Sequence, residues 1–179
     1  MSEKQPAIVV WKTEAQIRAR VEELSRKIQR DFDGEEICVT GILRGAFIFM
    51  ADLVRAMDLN MRCQFMNLYY KESSYKDNQI KEVEETSIYP AFDLAGKNVL
   101  LVCPLLDTGV IMDHIVNQIK LQGVKTARIA ALVDKTFLRR VDLKAEYVAF
   151  ESFEQDYVFG YGLDYQEKYR NLPYLAKFR

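Results

Sequence analysis

Asn98-Val-Leu-Leu-Val-Cys-Pro-Leu-Leu-Asp-Thr-Gly-Val-Ile-Met-Asp-His-Ile-Val116 is the stretch whose reading decides the fold. Residues 99–102 form a short, continuous apolar run with β-branched members, the pattern of a strand buried on both faces. Asp107-Thr108-Gly109 interrupts the run with turn chemistry. Beyond it Ile111, Ile115 and Ile119, with Met112 alongside, fall at helical spacing. A strand, a small polar turn and a helix in that order leave unpartnered amides at the strand's carboxyl end. The helix dipole is positive there, so the place suits an anion. Taken alone, the same residues equally describe an ordinary β-to-α connection closed by a helix cap.

The pattern recurs on both sides. Ile37-Cys-Val-Thr-Gly-Ile-Leu43 reads as a second buried strand, followed by Arg44-Gly45 and by a helix over residues 46–57 that is apolar nearly all round. Glycine at such a turn lets a ligand approach the backbone, and a guanidinium can hold phosphate oxygens in pairs. Arg44 by itself fits a surface charge equally well. Residues 127–133 form another buried strand, closed by Asp134-Lys135, while residues 61–68 and Tyr147-Val-Ala-Phe150 supply two more. Near the start, Thr13-Glu-Ala-Gln16 fits a capping box, with Ile17, Val21, Leu24 and Ile28 on one helical face. Gly34 and Gly123 mark helix stops. Alternating strands and helices imply an α/β fold with a mostly parallel central sheet flanked by helices, its ligands gathered at the strands' carboxyl ends. Arg44, Asp107, Lys135 and the segment beginning at Tyr157 all converge on that rim.

Three stretches stand outside this alternation. Residues 71–90 are polar, with Ile80 and Val83 suggesting a hairpin arm; such a stretch reads as a mobile lid or a disordered loop. Arg139-Arg140-Val-Asp142 reads as a solvated charged turn. Tyr157-Val-Phe-Gly-Tyr-Gly-Leu-Asp-Tyr165 holds four aromatics and two glycines in nine residues, which suggests backbone folded around a flat ligand.

Composition narrows the function classes. With 179 residues the chain is expected to form a single domain able to bury a core without metals or disulfides. It is 49% hydrophobic and 28% charged, an ordinary globular balance, and its net charge of −1 argues against a bulk-charge nucleic-acid surface. Cys38, Cys63 and Cys103 have no metal-ligand spacing and read as reduced thiols of a cytoplasmic protein. One histidine, His114, leaves general acid–base work to carboxylates. No signal peptide is expected from the first residues, and no apolar run approaches the roughly 20 residues of a membrane span.

The residues that carry a family likeness are Leu43-Arg44-Gly45, Leu106-Asp107-Thr108-Gly109, Asp134-Lys135 and Val158-Phe-Gly-Tyr-Gly-Leu-Asp-Tyr-Gln-Glu-Lys-Tyr-Arg-Asn-Leu-Pro-Tyr174. Together they resemble the hypoxanthine-guanine phosphoribosyltransferases, within the type I phosphoribosyltransferase fold, from about Ile37 to Tyr174. The resemblance implies a hood built from the chain ends, a mobile lid, and transfer of a phosphoribosyl group to a 6-oxopurine. Its substrates would be phosphoribosyl pyrophosphate and hypoxanthine or guanine. Its products would be a nucleoside monophosphate and pyrophosphate, with Mg2+ as cofactor. It further implies Asp107 as proton acceptor beside the purine's N7, and Lys135 as donor to its 6-oxo group. Tyr157 would stack on the base, and Val158 would contact the ring edge through its backbone. Thr108, Gly109, Val110 and Ile111 would hold the 5′-phosphate, and Arg44, Gly45 and Arg170 the pyrophosphate. Asp164 would be the metal ligand. A homodimer or homotetramer is implied, with no nucleic acid and no membrane as partner.

Departures from the family concentrate in the opening stretch. Where the family has an acidic pair for the ribose hydroxyls, this chain has Cys103-Pro104. Cysteine is a weak hydrogen-bonding group and proline lacks even a backbone donor. Two hydrogen bonds to charged groups amount to roughly 3–6 kcal/mol. If they also form in the transition state, their loss is on the order of 10²–10⁴ in catalytic efficiency. Ile111 stands where the family has a threonine for the phosphate, and Arg44 where it usually has lysine. A gap-free alignment sets Tyr69-Tyr70-Lys71-Glu72 against the family's Ser-Ser-Tyr-Gly lid start, and an insertion would instead restore part of it at Ser73-Ser74-Tyr75; the two alignments stay open. Two functions remain open: a salvage enzyme, impaired on its ribose side, and a catalytically degenerate relative that binds purines or nucleotides as a sensor or partner subunit.

Overall fold

A computed structural model describes residues 7–67 and 93–179. The expected lid and the hairpin arm around Ile80 and Val83 lie outside the described residues. Five strands, β2 (Ile37–Leu43), β3 (Met61–Asn67), β4 (Asn98–Leu106), β5 (Thr126–Asp134) and β6 (Tyr147–Glu151), form one parallel sheet in the order β3-β2-β4-β5-β6. Strand β4 lies at its centre, which accounts for the unbroken apolar run. Leu100 and Val102 face one layer of core, while Val99, Leu101 and Cys103 face the other. The strand is longer than residues 99–102. It continues through Cys103-Pro104 to Leu106, in register with β5 except at Pro104, whose nitrogen carries no hydrogen.

Helices α1 (Glu14–Asp31) and α2 (Phe47–Arg55) cover the first face. Thr13 caps α1 as expected: its Oγ1 accepts from the Gln16 amide at 3.3 Å, and its own amide donates to Gln16 Oε1 at 2.9 Å. Ile17, Val21, Leu24 and Ile28 are all buried, each burial stabilising by about 1.5–3 kcal/mol relative to exposure. The second face is covered by α3 (Val110–Leu121), through Met112, Ile115, Val116 and Ile119. Ile111 is only partly buried.

A separate antiparallel sheet, ordered β1-β8-β7, forms the expected hood from β1 (Ile8–Lys12), β7 (Val158–Phe159) and β8 (Leu175–Phe178). The glycines of the aromatic segment serve this hood, which corrects the reading that they fold backbone around a flat ligand. A Cβ on Gly160 would run into the Tyr174 carbonyl, and one on Gly162 into the Gly45 carbonyl; both have φ near +95° (94° and 97°). Phe159 stacks on Phe178 at 4.5 Å, and Tyr161 is buried with its hydroxyl donating to Asp52 at 2.5 Å. Only Tyr157 of the four aromatics stays mostly exposed.

Among the described residues, strand β6 has a strand partner on one side only. Arg20 of α1 covers the other, donating to the Ala149 carbonyl at 2.8 Å and the Val148 carbonyl at 2.9 Å, so the open edge is blocked by a buried-stem cation. Arg20→Ala is expected to lower stability by about 1–2 kcal/mol, since water recovers part of the lost hydrogen bonding. Urea unfolding checks it; a midpoint unchanged from wild type would remove this role.

Candidate active site

Three of the expected positions leave the sheet at its carboxyl rim. Arg44-Gly45 follows β2, Asp107-Thr108-Gly109 follows β4, and Lys135 follows β5. Because Leu106 pairs with Asp134, Asp107 and Lys135 emerge side by side, and the Lys135 amide donates to the Leu106 carbonyl at 2.8 Å. Gly109 adopts φ 79° as the N-cap of α3, so residues 108–111 present the helix's first amides at the rim. The Asp107 carboxylate accepts from the Thr108 amide at 2.7 Å, which holds it beside the turn.

Arg139 reinforces that turn. Its guanidinium donates to the Asp107 carbonyl and to Asp134 Oδ1, both at 2.5 Å, and its Cδ would lie 2.8 Å from a Cβ on Gly109. The side chain is 12% exposed. The expectation of a solvated charged turn therefore fails at Arg139, while Arg140 is exposed and donates from its backbone to the Thr108 carbonyl.

Lys135 is buried, which lowers its pKa, and the nearby Lys177 ammonium lowers it further. Its Nζ donates to the Asp156 carbonyl at 2.5 Å, tying β5's end to the connection that leads into Tyr157 and Val158. Val158 is buried in the hood, and Tyr157 meets Tyr165 edge-on at 5.4 Å. Across the rim, Arg44 pairs with Glu167 at 2.6 Å, both largely exposed. Arg170 pairs with Asp164 at 2.8 Å and donates to the Gly162 carbonyl, also at 2.8 Å. The second Asp164 oxygen accepts from the Glu167 amide at 2.9 Å.

Between the ends of β2 and β4 and the start of α3 lies a cavity of about 150 Å³. Cys103, Pro104, Leu105 and Ile111 line it, with Asp107 as the one charged lining residue among the described residues. Cys103 turns its thiol to the Leu105 carbonyl at 3.1 Å and is buried; burial pushes that thiol up to about 12. The Pro104 ring leans on Gly45, where an added Cβ would lie 2.9 Å from Pro104 Cγ.

The described residues contain no cluster of three or more His, Cys, Asp and Glu able to hold a metal. Magnesium does not require one: it commonly takes one or two carboxylates and completes its shell with substrate phosphates and water. Asp164, whose two oxygens are oriented by Arg170 and the Glu167 amide, fits that mode. No described helix is long and apolar enough to cross a membrane.

A parallel sheet with an acid, a lysine and an amide-rich helix start on one rim, under a hood that closes over them, is the architecture of a nucleotide-handling α/β protein. Residues 12–168 match the phosphoribosyl transferase domain family. A hypoxanthine-guanine phosphoribosyltransferase of Aquifex aeolicus is 40% identical over 162 residues, 89% of this chain and 88% of that one. A crystal structure of a hypoxanthine-guanine phosphoribosyltransferase from Bacillus anthracis superposes with a TM-score of 0.82 at 33% identity, covering 96% of this chain and 98% of that one. The chain belongs to the phosphoribosyltransferases, among the hypoxanthine-guanine members. It is also 31% identical to the bifunctional protein TilS/HprT of Listeria monocytogenes, of whose length it spans 25%.

Sequence reading missed Arg139, Lys177 and the Pro104–Gly45 contact. Two measurements check the site's internal packing. Burial holds the Asp134 carboxyl above the usual carboxylate range, and Arg139 opposes the shift. A carboxyl raised on folding adds most to stability below its unfolded pKa, near 3.9, and that contribution is lost as pH rises through the folded value. Arg139→Met strips the ionised carboxylate of its partner. Its expected cost is about 3 kcal/mol at neutral pH, shrinking as pH falls through the raised folded pKa and the carboxyl protonates. An equal loss at both pH values would reduce Arg139 to packing. For the thiols, native labelling should modify exposed Cys63 and spare buried Cys38 and Cys103 until unfolding. Native modification of Cys103 would contradict its burial.

Proposed function

We propose that residues 1–179 act as a single phosphoribosyltransferase domain in cytoplasmic purine salvage, converting hypoxanthine or guanine and phosphoribosyl pyrophosphate to the nucleoside monophosphate and pyrophosphate. The observation that carries this reading is the adjacency of Asp107 and Lys135, fixed by the Leu106–Asp134 register. In the reaction the bond from the ribose C1′ to pyrophosphate breaks, a bond from C1′ forms to one imidazole-ring nitrogen of the purine through its lone pair, and the proton on the other ring nitrogen, N7, is released. Asp107, exposed at the rim, accepts a proton at the purine's N7 side. Lys135 donates to the 6-oxo group, favouring oxopurines over aminopurines, because a buried donor left unpaired by an amino group is unfavourable. Tyr157 offers an aromatic face and Val158 backbone groups to the ring edge.

The phosphate ends have donors of their own. The amides of Thr108, Gly109, Val110 and Ile111 suit the 5′-phosphate, and Arg44, Gly45 and Arg170 the pyrophosphate. Asp164 would hold Mg2+, which would supply charge neutralisation to the pyrophosphate. Arg170 orients Asp164 for that task, and the exposed Arg44 adds long-range attraction. The free thiols of all three cysteines fit a reducing compartment. A homodimer or homotetramer belongs to the same proposal.

A second reading is favoured by one observation: the ribose-facing positions are a buried thiol and a proline ring. A protein that binds purine or nucleotide without efficient turnover, as a sensor or partner subunit, needs only the base and phosphate groups. Purified protein with hypoxanthine or guanine, phosphoribosyl pyrophosphate and magnesium separates the two. Turnover is expected, reduced by about 10²–10⁴ in catalytic efficiency against ordinary relatives. Turnover within tenfold of them would exclude impairment, and none with retained nucleotide binding would establish the second reading. Cys103→Glu with Pro104→Asp should raise the rate; no rise would place the defect elsewhere.

A further inference from the structure

Lys177 is a charged residue inside the hood. It lies on β8 between Val9 of β1 and Val158 of β7, with its side chain 9% exposed. An ammonium so placed is unfavourable unless paired. Its partners are the Glu154 carboxylate, Asp156 Oδ2 at 3.5 Å, and the Trp11 ring, whose centroid is 4.8 Å away. Both acids belong to the connection between β6 and β7 that leads into Tyr157. Asp156 thus meets two lysines: its carboxylate faces Lys177 and its main-chain carbonyl accepts from Lys135 at 2.5 Å.

That division is chemically significant. An ammonium beside both a carboxylate and a carbonyl makes the stronger bond to the carboxylate. Glu154 and Asp156 are both close enough to raise the Lys135 pKa, yet its recorded contact is the carbonyl. An ammonium has three donors, so one carbonyl leaves two for a ligand. We infer that Lys177 is a positioning residue that draws the Glu154 and Asp156 carboxylates into the hood, keeping Lys135 free to meet an exocyclic oxygen of the bound base. This rests on the purine-side role proposed for Lys135. Without Lys177, a carboxylate of the connection captures Lys135 and competes with the base.

Calorimetric titration of inosine monophosphate and adenosine monophosphate tests it without relying on turnover, since only the first carries the 6-oxo group. Wild-type protein should prefer inosine monophosphate. Lys177→Met should weaken that ligand about tenfold, the scale of one charged hydrogen bond, with adenosine monophosphate affected little. Adding Glu154→Gln and Asp156→Asn together removes the competing carboxylates and should restore the preference; Lys177→Arg should retain it. If Lys177→Met does not fold, Lys177→Gln, which lacks the charge, should give the same loss. An equal weakening of both nucleotides, or no rescue by the Glu154→Gln and Asp156→Asn pair, would overturn the inference and leave Lys177 a structural residue. A wild-type protein that binds nucleotides without preferring the oxo base would instead overturn the Lys135 reading, and this inference with it.

Discussion

The rim depends on one close approach of backbone to backbone. The hood meets the turn after β2 where Gly162 lies against the Gly45 carbonyl, and Gly45 in turn lies against the Pro104 ring. No side chain fits at either glycine, and the φ of 97° at Gly162 is open to glycine alone among common residues. Three segments distant in sequence are stacked at a point where any added methyl would push them apart. The ion pair that also spans this gap, Arg44 with Glu167, is 66% and 60% exposed and so contributes little to holding it. Steric exclusion places Asp164 and Arg170 opposite the sheet, and the charges follow.

On the base side the charges are interlocked rather than merely present. Arg139 ties the Asp107 turn to Asp134, Asp134 receives the Ser152 amide at 2.9 Å, and Lys135 ties β5 to the hood through Asp156. Apart from Arg139 with Asp134, each contact joins groups from different strand ends, which couples the turn after β4 to the connection after β6. Buried ion pairs add little net stability, but once present they tolerate only one arrangement. That suits a site whose donors must stand ready before a ligand arrives.

The sheet was legible because its central strands are buried on both faces, leaving runs such as Val99-Leu-Leu-Val102 with no other comfortable place in a soluble chain. Asp107, Lys135 and Arg44 were legible because strand ends interrupt such runs with turn and charge chemistry. Arg139 was not, since a guanidinium that turns back on an acid five residues earlier leaves no periodic mark. Lys177 was hidden by the opposite effect: a lone charge in a short strand reads as solvent-facing until β1 and β7 close around it. The glycines of the Tyr157 segment were read correctly as sites of close packing, but what packs there is the chain's own backbone. Continuation of β4 through Pro104 was invisible because proline normally argues against a central strand; β4 tolerates it only past Val102, where its pairing with β2 has ended.

The site is electrostatically lopsided. The side proposed for the purine carries Arg139 in contact with Asp107 and Asp134, with Lys135 beside them, whereas the cavity beside Cys103, Pro104 and Ile111 has only Asp107 as a charged lining residue among the described residues. Under the proposed reading these halves do different work. Contacts to the base that are equally good before and during transfer give affinity without rate; only contacts that strengthen as the ribose becomes oxocarbenium-like accelerate the step. Replacing acids by a thiol and a proline therefore removes the kind of contact that raises kcat, while leaving intact the kind that selects a ligand. The same two residues also stabilise the rim, since Pro104 fills the space over Gly45.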